Sequence, residues 1–403
     1  MSHPSRVRVT GPLKSFAEGF AAELLRQGYR PKAAADQLRL LAHLSRWLGA
    51  EGLDTADLAT SALNEFLSVR RAQGYTLWLS PKALAPLAGY LRGLGVTVFE
   101  PKPASNATEA LLARYREYLV STRGLTTTSA RGYVDMVRVF VSSRVIINDE
   151  LDWASLQPAD VTGFVLTACR CRSVGSAKLV VTALRSLLGY LHLEGLIATP
   201  LGDVVPAVAG WRLAGLPRSL EPGEVRRLLT ACDRRTGAGR RDFAMLMLLA
   251  RLGMRAGEVR SLALEDIDWR AGELVVRGKG NRFERLPLLA DIGRALAAYL
   301  QRGRPVTAQG RTVFVRMRAP HRPLSSAGVS QAVAAAASRA GLGRVGAHRL
   351  RHTVATEMVR AGVPLPEVGQ VLRHRRLMTT AIYAKVDRER LRLLARPWPG
   401  GAI

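Results

Sequence analysis

Apolar residues recur at helical spacing along most of the chain. Leu38, Leu40, Leu41 and Leu44 form one such stripe, and Val134, Met136, Val137 and Phe140 form another. Each stripe gives one helix face to a core. Strand-like runs occur at 273–277 and 285–288, and Gly278-Lys279-Gly280-Asn281 between them predicts the turn of a hairpin. Thr126-Thr127-Thr128-Ser129 supplies helix N-cap candidates before the second stripe. In the C-terminal half the pattern predicts helices over 222–233, 242–251 and 257–264. Further helices are expected from Asp291, Ser325, His348, Pro366 and Thr379. The apolar run 243–252 is too short to span a bilayer and reads as a buried helix. An apolar run of about 18 residues is not visible, nor is the apolar stretch of a signal peptide, so no membrane partner is expected. The expected fold is mainly α with a small β-sheet.

Two segments break the helical pattern. One, near 96–105, holds Pro101 and Pro103; the other, near 205–218, holds Pro206, Gly210, Gly215 and Pro217. Read as linkers, they divide the chain into 1–100, 106–205 and 216–403. The first two parts resemble each other. Leu53-Asp54-x-Ala56-x-Leu58 followed by Phe66 matches Leu151-Asp152-x-Ala154-x-Leu156 followed by Phe164, at one constant offset. Gly89-Tyr90-Leu91 recurs as Gly189-Tyr190-Leu191, and Gly28 matches Gly124. The expectation is two copies of one small helical domain. Chance similarity between two Ala/Leu-rich stretches is the alternative.

Composition narrows the partner. The chain has 403 residues, 48% of them hydrophobic, which is enough for a core and too long for one ordinary domain. Its 59 Lys and Arg against 32 Asp and Glu leave a formal net charge of +27. A polyanion is the natural partner of such a chain, and nucleic acid leads, because each neutralised phosphate releases a counterion. Arg114, Arg116, Arg123, Arg131, Arg138, Arg144, Lys178 and Arg185 are placed to meet phosphates, although a solvated basic face has the same sequence. Three cysteines, Cys169, Cys171 and Cys232, make no disulfide framework and fit a reducing cytoplasm. Cys169-x-Cys171 lacks a second ligand pair, so no metal and no cofactor are expected.

Single residues in the C-terminal part have ordinary explanations. Arg255 reads as a surface arginine, Lys279 as a turn lysine, His348 and Arg351 as polar residues of one helix. His374 is an isolated histidine and Tyr383 a half-buried tyrosine. The ordered set is another matter: Gly253-Met-Arg255-Ala-Gly-Glu258, Gly278-Lys279-Gly280-Asn281, His348-Arg-Leu-Arg351-His352, and Leu372-Arg-His374 ahead of Thr379-Thr380-Ala-Ile-Tyr383. These residue types suit one reaction. Attack on a phosphodiester spreads charge onto its non-bridging oxygens, and guanidinium groups meet that charge with paired donors without losing their proton. Arg255 and Arg351 would hold the scissile phosphate, and His374 would add a donor. Tyr383 would attack; its phenol is protonated at neutral pH and needs a base, for which His348 is the candidate. Lys279 would protonate the departing 5′-oxygen. Glu258, on the helical face of Arg255, and His352 would support.

The set resembles the tyrosine recombinase, or phage integrase, family. Its motifs cover about 216–390, and 106–205 is similar to the family's SAM-like core-binding domain. The resemblance implies the same assignments, a 3′-phosphotyrosyl intermediate, and a C-shaped clamp made by the core-binding and catalytic domains. It also implies a homo-tetramer, or a hetero-tetramer with related recombinases, on two DNA sites, with the stretch 388–394 docking in a neighbour or within its own subunit. The place of action would be the cytoplasm, at the nucleoid. Two positions depart from the family: Arg373 stands where glycine is usual before the histidine, and Lys385 where a histidine is frequent after the tyrosine. A topoisomerase with the same chemistry, and a DNA-binding protein that has lost catalysis, are the alternatives. The separate second part disfavours the first, and the intact residue set the second. The additional 100 residues at the N-terminus point toward integration or transposition of a mobile element.

Overall fold

The computed structural model describes residues 4–96, 106–144, 146–147, 150–209, 219–278, 283–374 and 377–386. Lys279 and the stretch 388–394 lie outside the described residues, as does much of both expected linkers. The described chain is mainly helical with small antiparallel sheets. Contacts group it into two compact units, one drawn from Met1–Val98 and Gly215–Ile403, the other from Phe99–Ala214.

The N-terminal part of the first unit contains α1 (Ala17–Arg26), α2 (Pro31–Ala50), α3 (Thr60–Ala72) and α4 (Pro81–Gly93). Both α2 and α4 begin at a proline, whose fixed φ and missing N–H suit the first helical turn. Phe20, Leu24, Leu38, Leu41, Leu44, Leu58, Phe66 and Leu91 bury together as its core.

The second unit holds α5 (Ala107–Ser121), α6 (Thr127–Ser142), the two-residue strands β1 (Ile146–Ile147) and β2 (Glu150–Leu151), α7 (Pro158–Cys169) and α8 (Val174–Leu193). The Thr126 hydroxyl caps α6 by accepting from the Ser129 amide. Its core includes Val134, Val137, Phe140, Leu156, Leu187 and Leu191. The four helices follow the same order as α1–α4, with β1 and β2 added between α6 and α7, and some of the matched positions share their burial while others, such as Phe66 and Phe164, do not. Leu58 and Leu156 are both buried, as are Leu91 and Leu191. Gly28 and Gly124 both take positive φ, +86° and +61°, which ends one helix and starts the next without Cβ strain. The sequence shows no uninterrupted long apolar run, yet α8 has the length and hydropathy to cross a membrane. Ala177, Val180, Leu184, Leu187 and Leu191 instead bury it as the central helix of this unit. Several arginines expected to face phosphates are engaged within the protein. Arg138 pairs with Glu109, Arg185 donates to the Val205 carbonyl at 2.7 Å, and Arg144 reaches Ser155 and Asp160.

The C-terminal part begins with α9 (Pro222–Thr230), α10 (Gly237–Arg251) and α11 (Ala256–Ser261). A sheet of β3 (Ile267–Asp268), β4 (Glu273–Arg277) and β5 (Phe283–Pro287) follows, in that order across the sheet, with Leu274 opposite both Ile267 and Leu286. Then come α12 (Ala290–Arg302), α13 (Ser326–Arg339), α14 (Ala347–Arg360), α15 (Leu365–Val371), α16 (Leu377–Thr380) and a 3₁₀ helix, Ala381–Val386. Residues 244–249 of α10 are all buried, so this helix runs through the core with no solvent face along its middle. The sequence pattern did not show β1, β2 or β3, each only two residues long.

Candidate active site

Two turns, helix α14 and the terminal 3₁₀ helix build the site. After α10 the chain turns at Gly253, with φ +58°. A Cβ there would meet Leu372 Cδ2 at 2.8 Å, so the left-handed conformation favours glycine and a side chain would also have to displace the end of Leu372. The turn delivers Arg255 to the N-cap of α11. Its amide donates to Glu258 Oε2 at 2.9 Å and its Nη1 to Glu258 Oε1 at 2.5 Å. The capping carboxylate therefore also fixes the guanidinium, whose Nη2 donates to the Arg373 carbonyl at 3.1 Å. The Arg255 side chain keeps 41% of its surface exposed.

Helix α14 carries His348, Arg351 and His352 on one face, as their spacing dictates. Arg351 is 1% exposed. It donates Nη1 to the Gly253 carbonyl at 2.6 Å and Nη2 to the Leu372 carbonyl. Burial, with Arg255 and Arg373 near, lowers its pKa to about 10, and it remains charged at neutral pH. Both arginines are thus tied to the short stretch that follows α15. There Arg373 adopts φ +57°, which costs a residue with a Cβ roughly 1–2 kcal/mol. The turn presents His374, whose Nδ1 shares a 2.8 Å hydrogen bond with Thr380 Oγ1.

Tyr383, on the terminal 3₁₀ helix, is 2% exposed and packs against Val354, Val368 and Leu372. Its hydroxyl shares a 2.7 Å hydrogen bond with His352 Nδ1, and its ring lies parallel to that of His374 with centroids 6.3 Å apart. His348 meets His352 edge-on at 4.4 Å. Burial pushes the Tyr383 phenol up to about 12, partly opposed by Arg351. Burial also drives His352 and His374 down to about 4, helped by neighbouring positive charge, and lowers His348. All three rings are therefore neutral near pH 7. Glu258 is raised by burial, but Arg373 and Arg255 outweigh that and hold it below the usual carboxylate range.

The structure brings together Arg255, Glu258, His348, Arg351, His352, His374 and Tyr383. Lys279 falls in sequence between β4 and β5, outside the described residues. Two features escaped the sequence reading. His352, given only a supporting place, is the histidine that touches Tyr383. Arg373, noted only as a departure, donates Nη2 to Glu258 Oε2 at 2.9 Å in a buried ion pair. The arginine in place of glycine was its only signal. Thr380 had none.

Comparison with known proteins matches residues 218–390 to the phage integrase family. A Sinorhizobium fredii protein named as an integrase/recombinase, y4rA, is 40% identical over 397 residues, which is 97% of this chain and 96% of that protein. The tyrosine recombinase XerD of Listeria monocytogenes is 28% identical, over 70% of this chain and 96% of its own length. Among solved structures, the XerH recombinase bound to its palindromic difH substrate aligns with a TM-score of 0.57 at 20% identity, covering 73% of this chain and 97% of that one. A lambda integrase dimer on a COC′ core site aligns with a TM-score of 0.53 at 18% identity, covering 85% and 89%.

Proposed function

The chain belongs to the phage integrase family of tyrosine recombinases, and from that premise we propose that it breaks and rejoins DNA through a 3′-phosphotyrosyl bond at Tyr383. The observation that carries the proposal is convergence. Arg255, Arg351, His374 and Tyr383 come from four separate stretches and meet around residues 372–374. Arg255 and Arg351 bind the non-bridging oxygens of the scissile phosphate, and neutral His374 donates a further hydrogen bond. Tyr383 passes its proton to His352, the ring already within reach, with His348 as the next base. This requires His352 to carry its own proton on Nε2. The phenoxide attacks phosphorus in line, the bond to the 5′-oxygen breaks, and Lys279 supplies that oxygen's proton. Glu258 orients Arg255. Rejoining reverses the steps and conserves the energy of the ester.

The partner is double-stranded DNA, and the active assembly is a homo-tetramer, or a hetero-tetramer with related recombinases, on two sites. Solved relatives that are bound to DNA as a dimer and as a tetramer support this reading. We also propose the division into 1–100, 106–205 and 216–403, with the first part a duplicate of the second. The separate cores and shared helix order support it. The role is integration or transposition of a mobile element. The y4rA match runs through the leading 100 residues, whereas the XerD match takes in only 70% of this chain.

The test is trapping of a covalent protein–DNA adduct on a nicked duplex taken from the DNA that flanks the gene, with EDTA present. Arg255, Arg351 and Lys279 supply the charge that a metal brings to other phosphoryl transfers, so the adduct is expected to form at the same rate with and without chelator. Strict dependence on added magnesium would overturn the mechanism.

A further inference from the structure

Arg373 makes connections that the mechanism above does not use. Its side chain is 4% exposed. Nη2 donates to Glu258 Oε2 at 2.9 Å, and Nη1 to the Val371 carbonyl at 3.1 Å. Nε, although buried, has no hydrogen-bond partner. It lies 3.9 Å from Glu284 Oε2, on β5. Its backbone carbonyl is the acceptor that fixes Arg255 Nη2.

Each contact constrains the role. Glu258 already has Arg255 as counter-charge through Oε1, so Arg373 is not needed merely to neutralise it. What the second arginine adds is a link from that carboxylate, which Arg255 already holds at both oxygens, to residues 371–373. Its bond to Oε2 adds to that of the Arg255 amide and ties the Glu258–Arg255 pair to the turn after α15. The Nε, without a hydrogen-bond partner, faces Glu284 of β5. A shift of Glu284 from 3.9 Å to the roughly 2.8 Å of a charge-assisted hydrogen bond would satisfy that donor and seat the hairpin. The left-handed backbone, which a glycine would adopt without strain, is retained with an arginine.

We propose that Arg373 is a positioning residue that joins the β4–β5 hairpin to the phosphate-binding arginines, holding Glu258 with one nitrogen and receiving Glu284 with another. In this way the position of β5 is coupled to the setting of Arg255. The proposal rests on the reading of Arg255 as a phosphate ligand and of Tyr383 as the nucleophile.

The test compares single-turnover adduct formation on a nicked duplex for wild type, Arg373→Gly, Arg373→Lys, Glu284→Gln and the Arg373→Gly/Glu284→Gln double variant. DNA affinity and melting temperature are measured alongside. Arg373→Gly fits the backbone, so folding should survive. Its cleavage rate is expected to fall roughly tenfold to a hundredfold, as for a small misplacement of reacting groups, with DNA affinity unchanged. Arg373→Lys, which keeps the charge but not the planar fork, should recover part of the rate. Glu284→Gln should slow cleavage less, and the double variant should be no slower than Arg373→Gly alone. A wild-type rate in Arg373→Gly, or multiplying effects in the double variant, would overturn the coupling while leaving the Tyr383 chemistry standing. Failure of wild type to form any adduct would overturn both.

Discussion

A buried phenol raised to about 12 is a poor nucleophile until something takes its proton, and the one ring its hydroxyl meets among the described residues is His352, itself lowered to about 4. The sequence showed the types needed: two arginines, histidines, a tyrosine, in family order. It did not show which of His348 and His352 meets the hydroxyl, because positions one helical turn apart share a face and only packing separates them. Nor did it show that Arg373 reaches Glu258, since nothing local links residues so far apart. The depressed histidines also have a consequence for stability. In the unfolded chain His352 and His374 take up protons near 6.5, whereas in the fold they resist until about 4. Between those values the unfolded state binds more protons. The stability that the neutral rings preserve is therefore complete above 6.5 and is lost as pH falls toward 4. Thermal melts of wild type and a His352→Gln/His374→Gln variant should show a steeper fall in Tm from pH 6.5 to 4 for wild type. Parallel curves would contradict this origin of the acid sensitivity.

At the scale of elements, start signals were legible and short strands were not. Thr126 caps α6 and Ser325 caps α13, where the pattern placed helix starts, and the β4–β5 pairing follows the expected hairpin. The helix expected at 222–233 ends earlier, at Thr230, and that at 242–251 begins earlier, at Gly237, because capping rather than apolar period sets the ends. Two-residue strands such as β3 carry too few positions for any period. The matched repeat positions are informative for energetics. Phe140 is 2% exposed and meets the rings of Trp153 and Phe164. Phe140→Ala should cost about 3–5 kcal/mol through lost burial and the cavity left behind. Because 106–209 has its own core, hydrogen exchange should show lost protection there while α10 and α14 keep theirs. A change below about 1 kcal/mol, or equal loss in α10, would contradict separate cores.

On the scale of the whole molecule, the helical pattern gave the mainly α fold class directly, and the net charge of +27 pointed to a polyanionic partner. Which arginines meet phosphate was less legible, since Arg138, Arg144 and Arg185 turn out to serve intramolecular contacts. Composition records a charge, not where its side chain goes. The central claim is that this fold exists to bring a protein oxygen to a DNA phosphorus. The direct measurement is mapping of the trapped protein–DNA bond by mass spectrometry in wild type and Tyr383→Phe. Wild type should carry the nucleotide on Tyr383, and Tyr383→Phe, with unchanged DNA affinity, should carry none. A covalent bond that persists in Tyr383→Phe, or that maps to another residue in wild type, would contradict the claim.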